Sequence, residues 1–158
     1  MSAIDLLIAR YRPKVGCEIA VGPWLQIDQD RIDQFAAVTG DQQWIHTDPA
    51  RAATDSPLGT TIAHGFLTLS LLPYLTGSNR PDYFSAHYPG MQRRLNYGLD
   101  KVRFPAAVAV GVRIRARTLV LGIETVAGGA QIRYRFTIEI EGEEKPACIA
   151  EQIFRLYP

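Results

Sequence analysis

The sequence is short of the residues that carry several common kinds of chemistry. Among its 158 residues only two are cysteines, Cys17 and Cys148, and neither a CxxC pair nor a Cys/His spacing typical of zinc ligands occurs. GxSxG, the Walker loop and GxGxxG are also absent, so serine hydrolase, P-loop and dinucleotide-binding functions lack their usual support. We therefore expect no metal and no cofactor.

The sequence also lacks an excess of one charge and any long apolar run. Seventeen basic and 16 acidic residues give a formal net charge of +1, whereas nucleic-acid-binding domains are usually strongly basic. No run reaches the roughly 20 apolar residues of a membrane span, and the N-terminus lacks the apolar core and cleavage site of a secretory signal. Because cysteines are few and no secretory signal is recognised, we expect a reduced, cytoplasmic protein. The balanced charge and the short apolar runs predict that it binds neither nucleic acid nor membrane.

What is present indicates one globular domain over residues 1–158. The hydrophobic fraction is 47% and the charged fraction 21%, which is ordinary for a folded chain of this size. Residues 1–16 are predicted to form a short helical extension that Pro13 ends. A second helix is predicted from an N-cap at Asp28 to a stop at Gly40, and a short third one after Asp48-Pro49.

An almost wholly apolar segment begins at Ile62. Its large side chains point around most of a helix, which predicts a core helix, buried on every side, that ends at Pro73 or shortly after it. Residues 79–91 are rich in Pro, Gly, Asp, Ser and Tyr and are predicted to form a long loop, which we interpret as a lid. The apolar side chains of the helix are Phe66, Leu67, Leu69, Leu71, Leu72 and Leu75.

The C-terminal half changes from helical spacing to alternation. Apolar residues occupy every second position from Ile132 to Ile140, and the Ala127-Gly128-Gly129-Ala130 segment predicts a tight turn before them. Flanking segments read as further strands. The chain is therefore predicted to be an α+β fold, in which an antiparallel meander packs its apolar face against the buried helix.

Asp41 and His46 are the first candidates for catalysis. A carboxylate beside an imidazole can share one water, with one group taking a proton and the other returning one to the product. The alternative is that Asp41 only forms a turn after Gly40 and that His46 is a satisfied core histidine.

The helix start at His64-Gly65 is the second candidate. Its free N–H groups and positive dipole end favour a developing oxyanion, although Gly65 is equally compatible with close helix-to-sheet packing. Ser70, farther along the helix, more often bonds the preceding turn than does chemistry. Alternating arginines on two strands, at 113, 115, 117, 133 and 135, are interpreted mainly as a solvated face, with phosphate docking as the alternative.

Together, GDQQWIH, the following Asp48-Pro49, GTTIAHGFLTLSLL and NYGLDKVRFPAAVAVG resemble the MaoC-like dehydratases, the (R)-specific enoyl-CoA hydratase group, and especially their NodN-like branch. The resemblance runs from about residue 20 to the C-terminus. It implies a hot-dog fold, in which a long buried central helix is wrapped by an antiparallel sheet, and a homodimer with joined sheets.

The resemblance also implies site roles and an activity. Asp41 and His46 would position water for syn addition to a trans-2-enoyl thioester, the Gly65 N–H would hold the thioester oxygen, and Ser70 and His64 would support them. The substrate would be an acyl-CoA. The commonest form of the motif has Asn-Pro where this chain has Gln43 and Trp44, so the acyl pocket is expected to differ.

The sequence thus predicts a hydro-lyase that interconverts trans-2-enoyl and (3R)-hydroxyacyl thioesters. Two alternatives remain open at this stage. One is a hot-dog acyl-CoA thioesterase, and the other is a non-catalytic acyl-thioester-binding subunit of a heterodimeric dehydratase.

Overall fold

A computed structural model describes residues 1–158. Short helices fill the first half of the chain and long strands the second. The helices are α1 (Ala3–Tyr11), α2 (Gln29–Thr39), α3 (Trp44–Thr47), α4 (Pro49–Asp55), α5 (Gly65–Ser70), α6 (Leu72–Leu75) and α7 (Tyr83–His87), with a 3-10 turn at Arg12–Lys14. The strands are β1 (Glu18–Val21), β2 (Leu25–Gln26), β3 (Arg93–Arg103), β4 (Arg113–Val126), β5 (Gly129–Ile140) and β6 (Cys148–Tyr157).

The strands form one antiparallel sheet in the order β1-β4-β5-β6-β3, with β2 also paired to β4. Strands β4, β5 and β6 make the predicted meander, but β3 pairs with β6 rather than with β4, its neighbour in sequence. The connection from β3 to β4 runs beside other segments instead. In it, Gly111 N–H donates to Ile27 O (2.6 Å), and Val108 O accepts from Ala63 N–H (2.8 Å).

The alternation predicted for β5 is confirmed. All five apolar side chains from Ile132 to Ile140 are buried, and β4 and β5 are joined by a two-residue turn at positions 127 and 128. Helix α5 packs against β6 and α6 against β4, so the core lies between these helices and one face of the sheet.

The apolar helix differs from its prediction in length and in burial. It is divided into α5 and α6 at Leu71, because Pro73 has no N–H to continue the hydrogen-bond ladder. It is also not buried on every side, since Phe66 is 69% exposed and Tyr74 is 51% exposed. Phe66 instead packs edge-on against Phe104 (ring centroids 6.0 Å apart) near the surface.

Helix α1 occupies the predicted N-terminal extension and packs against the sheet. Ser2 and Asp5 form a capping box at its start. At its end, Arg10 Nη2 donates to Ala86 O (2.9 Å) and Tyr11 Oη donates to His87 O (3.1 Å). Residues 79–91 are therefore not simply a loop, because they contain α7 and are tied to α1.

The outer face of the sheet carries the alternating arginines. Four of the five form ion pairs with glutamates, for example Arg115 with Glu139 (2.7 Å) and Arg117 with Glu18 (2.7 Å). These pairs support the interpretation as a solvated face. None of the helices combines the length and apolar character that a bilayer crossing requires.

Candidate active site

Asp41 lies directly after the C-terminus of α2. Gly40 caps that helix in the left-handed conformation (φ 81°), which glycine adopts without steric cost, and its N–H donates to Ala36 O. The chain therefore leaves the helix sharply at Gly40. This turn brings the partly exposed Asp41 beside the segment that leads into α5.

His46 is carried by the single-turn helix α3 and is buried. Its Nδ1 lies 2.7 Å from Ile62 O. Because a carbonyl oxygen can only accept, Nδ1 carries the proton of this bond, and Nε2 is the nitrogen left for chemistry. The main chain reinforces the contact, since Ile62 N–H donates to Ile45 O (3.0 Å).

His64 joins Asp41 and His46 into one cluster. Its ring stacks on that of His46 (centroids 3.8 Å apart), and its Nε2 donates to the backbone oxygen of Asp41 (2.9 Å). Phe35 packs against its other side (centroids 5.0 Å apart). His64 is 3% exposed and its Nδ1 has no hydrogen-bond partner. His64 therefore fixes the main chain at Asp41 through this hydrogen bond.

The Asp41 carboxylate is stabilised in its ionised form. The Gln43 side-chain amide donates to Asp41 Oδ1 (3.0 Å), and this bond lowers the pKa of the Asp41 carboxyl below its ordinary value of 3.8. The proximity of the His46 and His64 side chains lowers that pKa further. Gln43, one of the two departures from the common motif, thus acts directly on the candidate base.

A cavity of about 220 Å³ opens beside His46. His46, Gly65 and Thr68 line it together with apolar side chains from residues 104–108 and Ala147. Asp41 and His64 are not among its lining residues, although one ligand atom of each lies within 4.8 Å of the His46 imidazole. The cavity therefore joins His46 to the start of the α5 helix, and Asp41 lies next to His46 outside its lining.

Gly65 lies at the N-terminus of α5, where the first amide N–H groups have no acceptor within the helix. A Cβ at this position would lie 3.1–3.3 Å from the Phe104 ring. Close packing by Phe104 is thus a sufficient reason for glycine here, and Gly65 itself lines the cavity.

Ser70 and Trp44 are placed differently from the expectation. Ser70 is exposed and does not line the cavity; the buried hydroxyl on this helix is that of Thr68, which does. Trp44 is also absent from the lining, and Arg51 stacks on its ring at 4.4 Å. Helical spacing explains the first difference, because Thr68 is one turn after His64 whereas Ser70 falls on the opposite face.

Two further residues hold the site, and neither was a sequence candidate. Gln29, at the start of α2, donates from Nε2 to His46 O (2.7 Å) and accepts from the hydroxyl of Thr61. Thr61 is fully buried. Gln29 precedes the motif in sequence, and Thr61 lies within the GTTIAHG segment but is an ordinary polar residue there, so only the hydrogen bonds themselves identify the two.

Asp41, His46 and His64 also form the one group of side chains that could hold a metal ion. Each imidazole already has one nitrogen bonded to a backbone carbonyl oxygen, so each ring has a single nitrogen left for coordination. Their spacing in sequence is unlike that of common Cys/His zinc sites. The expectation of no metal, which rested on that spacing, could not have anticipated this cluster.

Known proteins resemble this chain in sequence and in structure. The family model described as MaoC like domain matches residues 12–141. The 3-hydroxyacyl-thioester dehydratase Z of Mycobacterium tuberculosis (strain ATCC 25618 / H37Rv) is 45% identical over 149 residues, which cover 94% of each chain. Nodulation protein N of Rhizobium leguminosarum bv. viciae is 42% identical over 151 residues, covering 94% of this chain and 90% of that protein.

A solved structure described as the (R)-hydratase from A. caviae involved in PHA biosynthesis matches with a TM-score of 0.64 and 26% identity, covering 89% of this chain and 98% of that one. The hot-dog fold predicted from the sequence is confirmed. The chain therefore belongs to the MaoC-like family of (R)-hydratases and 3-hydroxyacyl-thioester dehydratases.

Proposed function

We propose that this protein catalyses the reversible hydration of trans-2-enoyl thioesters, CoA-linked in the first instance, to (3R)-hydroxyacyl thioesters. The observation that carries the proposal is that an ionised Asp41 lies next to the buried His46, and that His46 lines an apolar cavity together with Gly65. The names of the 45% identical dehydratase and of the (R)-hydratase structure agree with this reaction.

The roles of the two residues follow from their protonation. Asp41, held as a carboxylate, is assigned as the base that takes a proton from water while the water oxygen bonds to C3 of the enoyl group. His46 is assigned as the acid, because its Nε2 is free to carry a proton to C2. The Gly65 N–H would stabilise negative charge on the thioester oxygen. Proton return from Asp41 to His46 restores the starting state.

We also propose that the protein is a homodimer and that it works without a metal or redox cofactor. Its proposed location is the cytoplasm. The dimer is supported by the edge strand β3, which pairs only with β6 and leaves Leu95 and Tyr97 exposed, and by the exposed Phe66. Free thiols at Cys17 and Cys148 agree with a reduced compartment. Light scattering tests the dimer, and activity that survives dialysis against a chelator tests the absence of a metal.

The reaction is tested by following the loss of thioester ultraviolet absorbance with crotonyl-CoA. We expect Asp41→Asn and His46→Gln each to reduce turnover at least about 100-fold, the usual range for general acid-base residues. Asp48→Asn is a matched control, because Asp48 is an exposed carboxylate that caps α4 through Arg51 N–H. Full turnover in both site variants would refute the assignment.

Product analysis separates hydration from the thioesterase alternative. A thioesterase releases free CoA thiol, which a thiol reagent detects, whereas hydration releases none. Binding of enoyl-CoA without either product would instead indicate a non-catalytic subunit.

A further inference from the structure

A second cavity lies between α6 and the sheet, apart from the candidate active site. Its volume is about 180 Å³, and it shares no lining residue with the cavity beside His46. Leu72 and Pro73 of α6 form one side, and Tyr83 and Tyr88 close another. Thr76 and Ser78, which follow α6, also line the cavity, and the remaining lining residues come from the sheet.

Strand β3 presents polar side chains to this cavity. Arg94 is opposite Leu156 and Asn96 is opposite Phe154 in the ladder with β6, and both partners are buried on the core face. Leu95, between them, points outward and is 48% exposed. Asn96 remains exposed, but Arg94 is half-buried at a core-facing position, and a charged side chain there is unfavourable unless it serves a function.

Arg94 has no carboxylate partner. It takes part in none of the ion pairs of the protein, and no Asp or Glu lines the cavity. Its guanidinium lies over three aromatic rings, those of Phe154 (4.9 Å), Tyr83 (5.9 Å) and Tyr88 (6.0 Å). A half-buried cation in this setting lacks the anion that normally accompanies it.

The other polar groups of the cavity do not supply that anion. Burial raises the pKa of Tyr83 to about 12 and also raises the pKa of Tyr88 and Tyr134, so these phenols are neutral. Asn96 Oδ1 accepts from Gln152 Nε2 (3.0 Å), which leaves the Asn96 amide N–H groups as donors. The cavity therefore offers one positive charge, additional donors and aromatic walls.

We propose that this cavity binds an organic carboxylate of about the size of benzoate, with the carboxylate on Arg94 and the apolar body between the aromatic rings and α6. The guanidinium fork matches a carboxylate geometrically. The size of the ligand follows from the volume of the cavity, because an apolar cavity of about 150 Å³ holds benzene. The carboxylate comes either from a free acid or from the far end of an acyl thioester; the second source rests on the proposed function.

Calorimetric titration with benzoate and its neutral isostere benzamide tests the proposal. Wild type should bind benzoate at least about tenfold more tightly than benzamide, and Arg94→Gln should remove that preference. Arg93→Gln is the matched control, because Arg93 is exposed on the neighbouring position of β3 and stacks on Tyr157; it should bind benzoate as wild type does.

Equal affinity of wild type for benzoate and benzamide, or no binding of either, would overturn the proposal. Unchanged benzoate binding in Arg94→Gln would do the same. Should Arg94→Gln fail to fold, the comparison of the two probes in wild type still decides.

Kinetics distinguish the two sources of the carboxylate. If the carboxylate is the end of an acyl chain, an enoyl-CoA with a terminal carboxylate has a lower KM than the methyl-ended compound of equal length. Arg94→Gln then loses that difference in KM, and benzoate competes with the substrate. If it is a free acid, benzoate binds equally with and without enoyl-CoA. Failure to hydrate any enoyl-CoA would count against the proposed function but leave the benzoate result intact.

Discussion

Gln29 is the residue whose replacement tests most directly how the site is held together. Its side chain joins three elements, since it donates to His46 O (2.7 Å) and to Asp33 Oδ1 (2.8 Å) and accepts from the Thr61 hydroxyl. Gln29→Met keeps the length of the side chain but removes these bonds. The Thr61 hydroxyl, which is fully buried, and the His46 carbonyl then lose their partner.

An unpaired buried polar group costs about 1–3 kcal/mol, so we expect Gln29→Met to lower the free energy of unfolding by about 2–4 kcal/mol. For a chain of this length, that corresponds to a decrease in Tm on the order of 10 °C. Urea unfolding followed by circular dichroism gives the free energy, and crotonyl-CoA hydration should fall as well, because α3 is no longer fixed at His46.

A double-mutant cycle with Thr61→Val isolates the contact. Valine removes the hydroxyl that Gln29 accepts from, so Gln29→Met should cost about 1 kcal/mol less in the Thr61→Val background. Gln34→Met, an exposed position on the same helix whose side chain bonds only Asp30, should change stability by less than about 0.5 kcal/mol. Equal effects at Gln29 and Gln34, or additive effects with Thr61→Val, would refute this account.

Two further predictions concern Asp41. Gln43→Leu removes the bond that most lowers the pKa of the Asp41 carboxyl, so that pKa should rise. The acid limb of the kcat/KM profile, where the carboxylate takes up a proton, should therefore move to higher pH. An unmoved limb in a folded variant would contradict this role of Gln43. Gly40→Ala forces alanine into the left-handed region and should lower stability by about 1 kcal/mol in thermal unfolding, whereas Gly98→Ala, with negative φ and open space, should have little effect.

The parts of the fold that could be predicted are those in which local pattern and burial agree. The alternation from Ile132 to Ile140 matches the core face of β5, and the Asp28 cap and the Gly40 stop match the ends of α2. The pairing of β3 with β6 could not be predicted in this way, because alternation identifies a strand but not its neighbour. The exposure of Phe66 could not be predicted either, because the local pattern identifies an apolar side chain but not whether other residues cover it.

The candidate site was predictable as far as its motif extends. Spacing and resemblance grouped Asp41, His46 and Gly65; in the structure Asp41 lies within 4.8 Å of His46, and His46 and Gly65 line one cavity. Ser70 was assigned from the motif, yet the face of the helix decides which hydroxyl reaches the cavity. The contacts of Gln29 depend on how α2 packs against α3, and no local pattern encodes that packing.

Helix α1 has a consequence for how this protein can be shortened. The family model begins at residue 12, yet Arg10 and Tyr11 hold the main chain of α7, and the Tyr11 ring stacks on Tyr88 (centroids 5.9 Å apart). Trimming to the family boundary would spare every residue of the motif, but it would remove the support of α7 together with Leu7 and Tyr11, which are buried in the core. A chain that began at residue 12 would thus lose buried apolar side chains from the common core as well as the contacts to α7, so the motif alone does not mark the boundary of the folded unit.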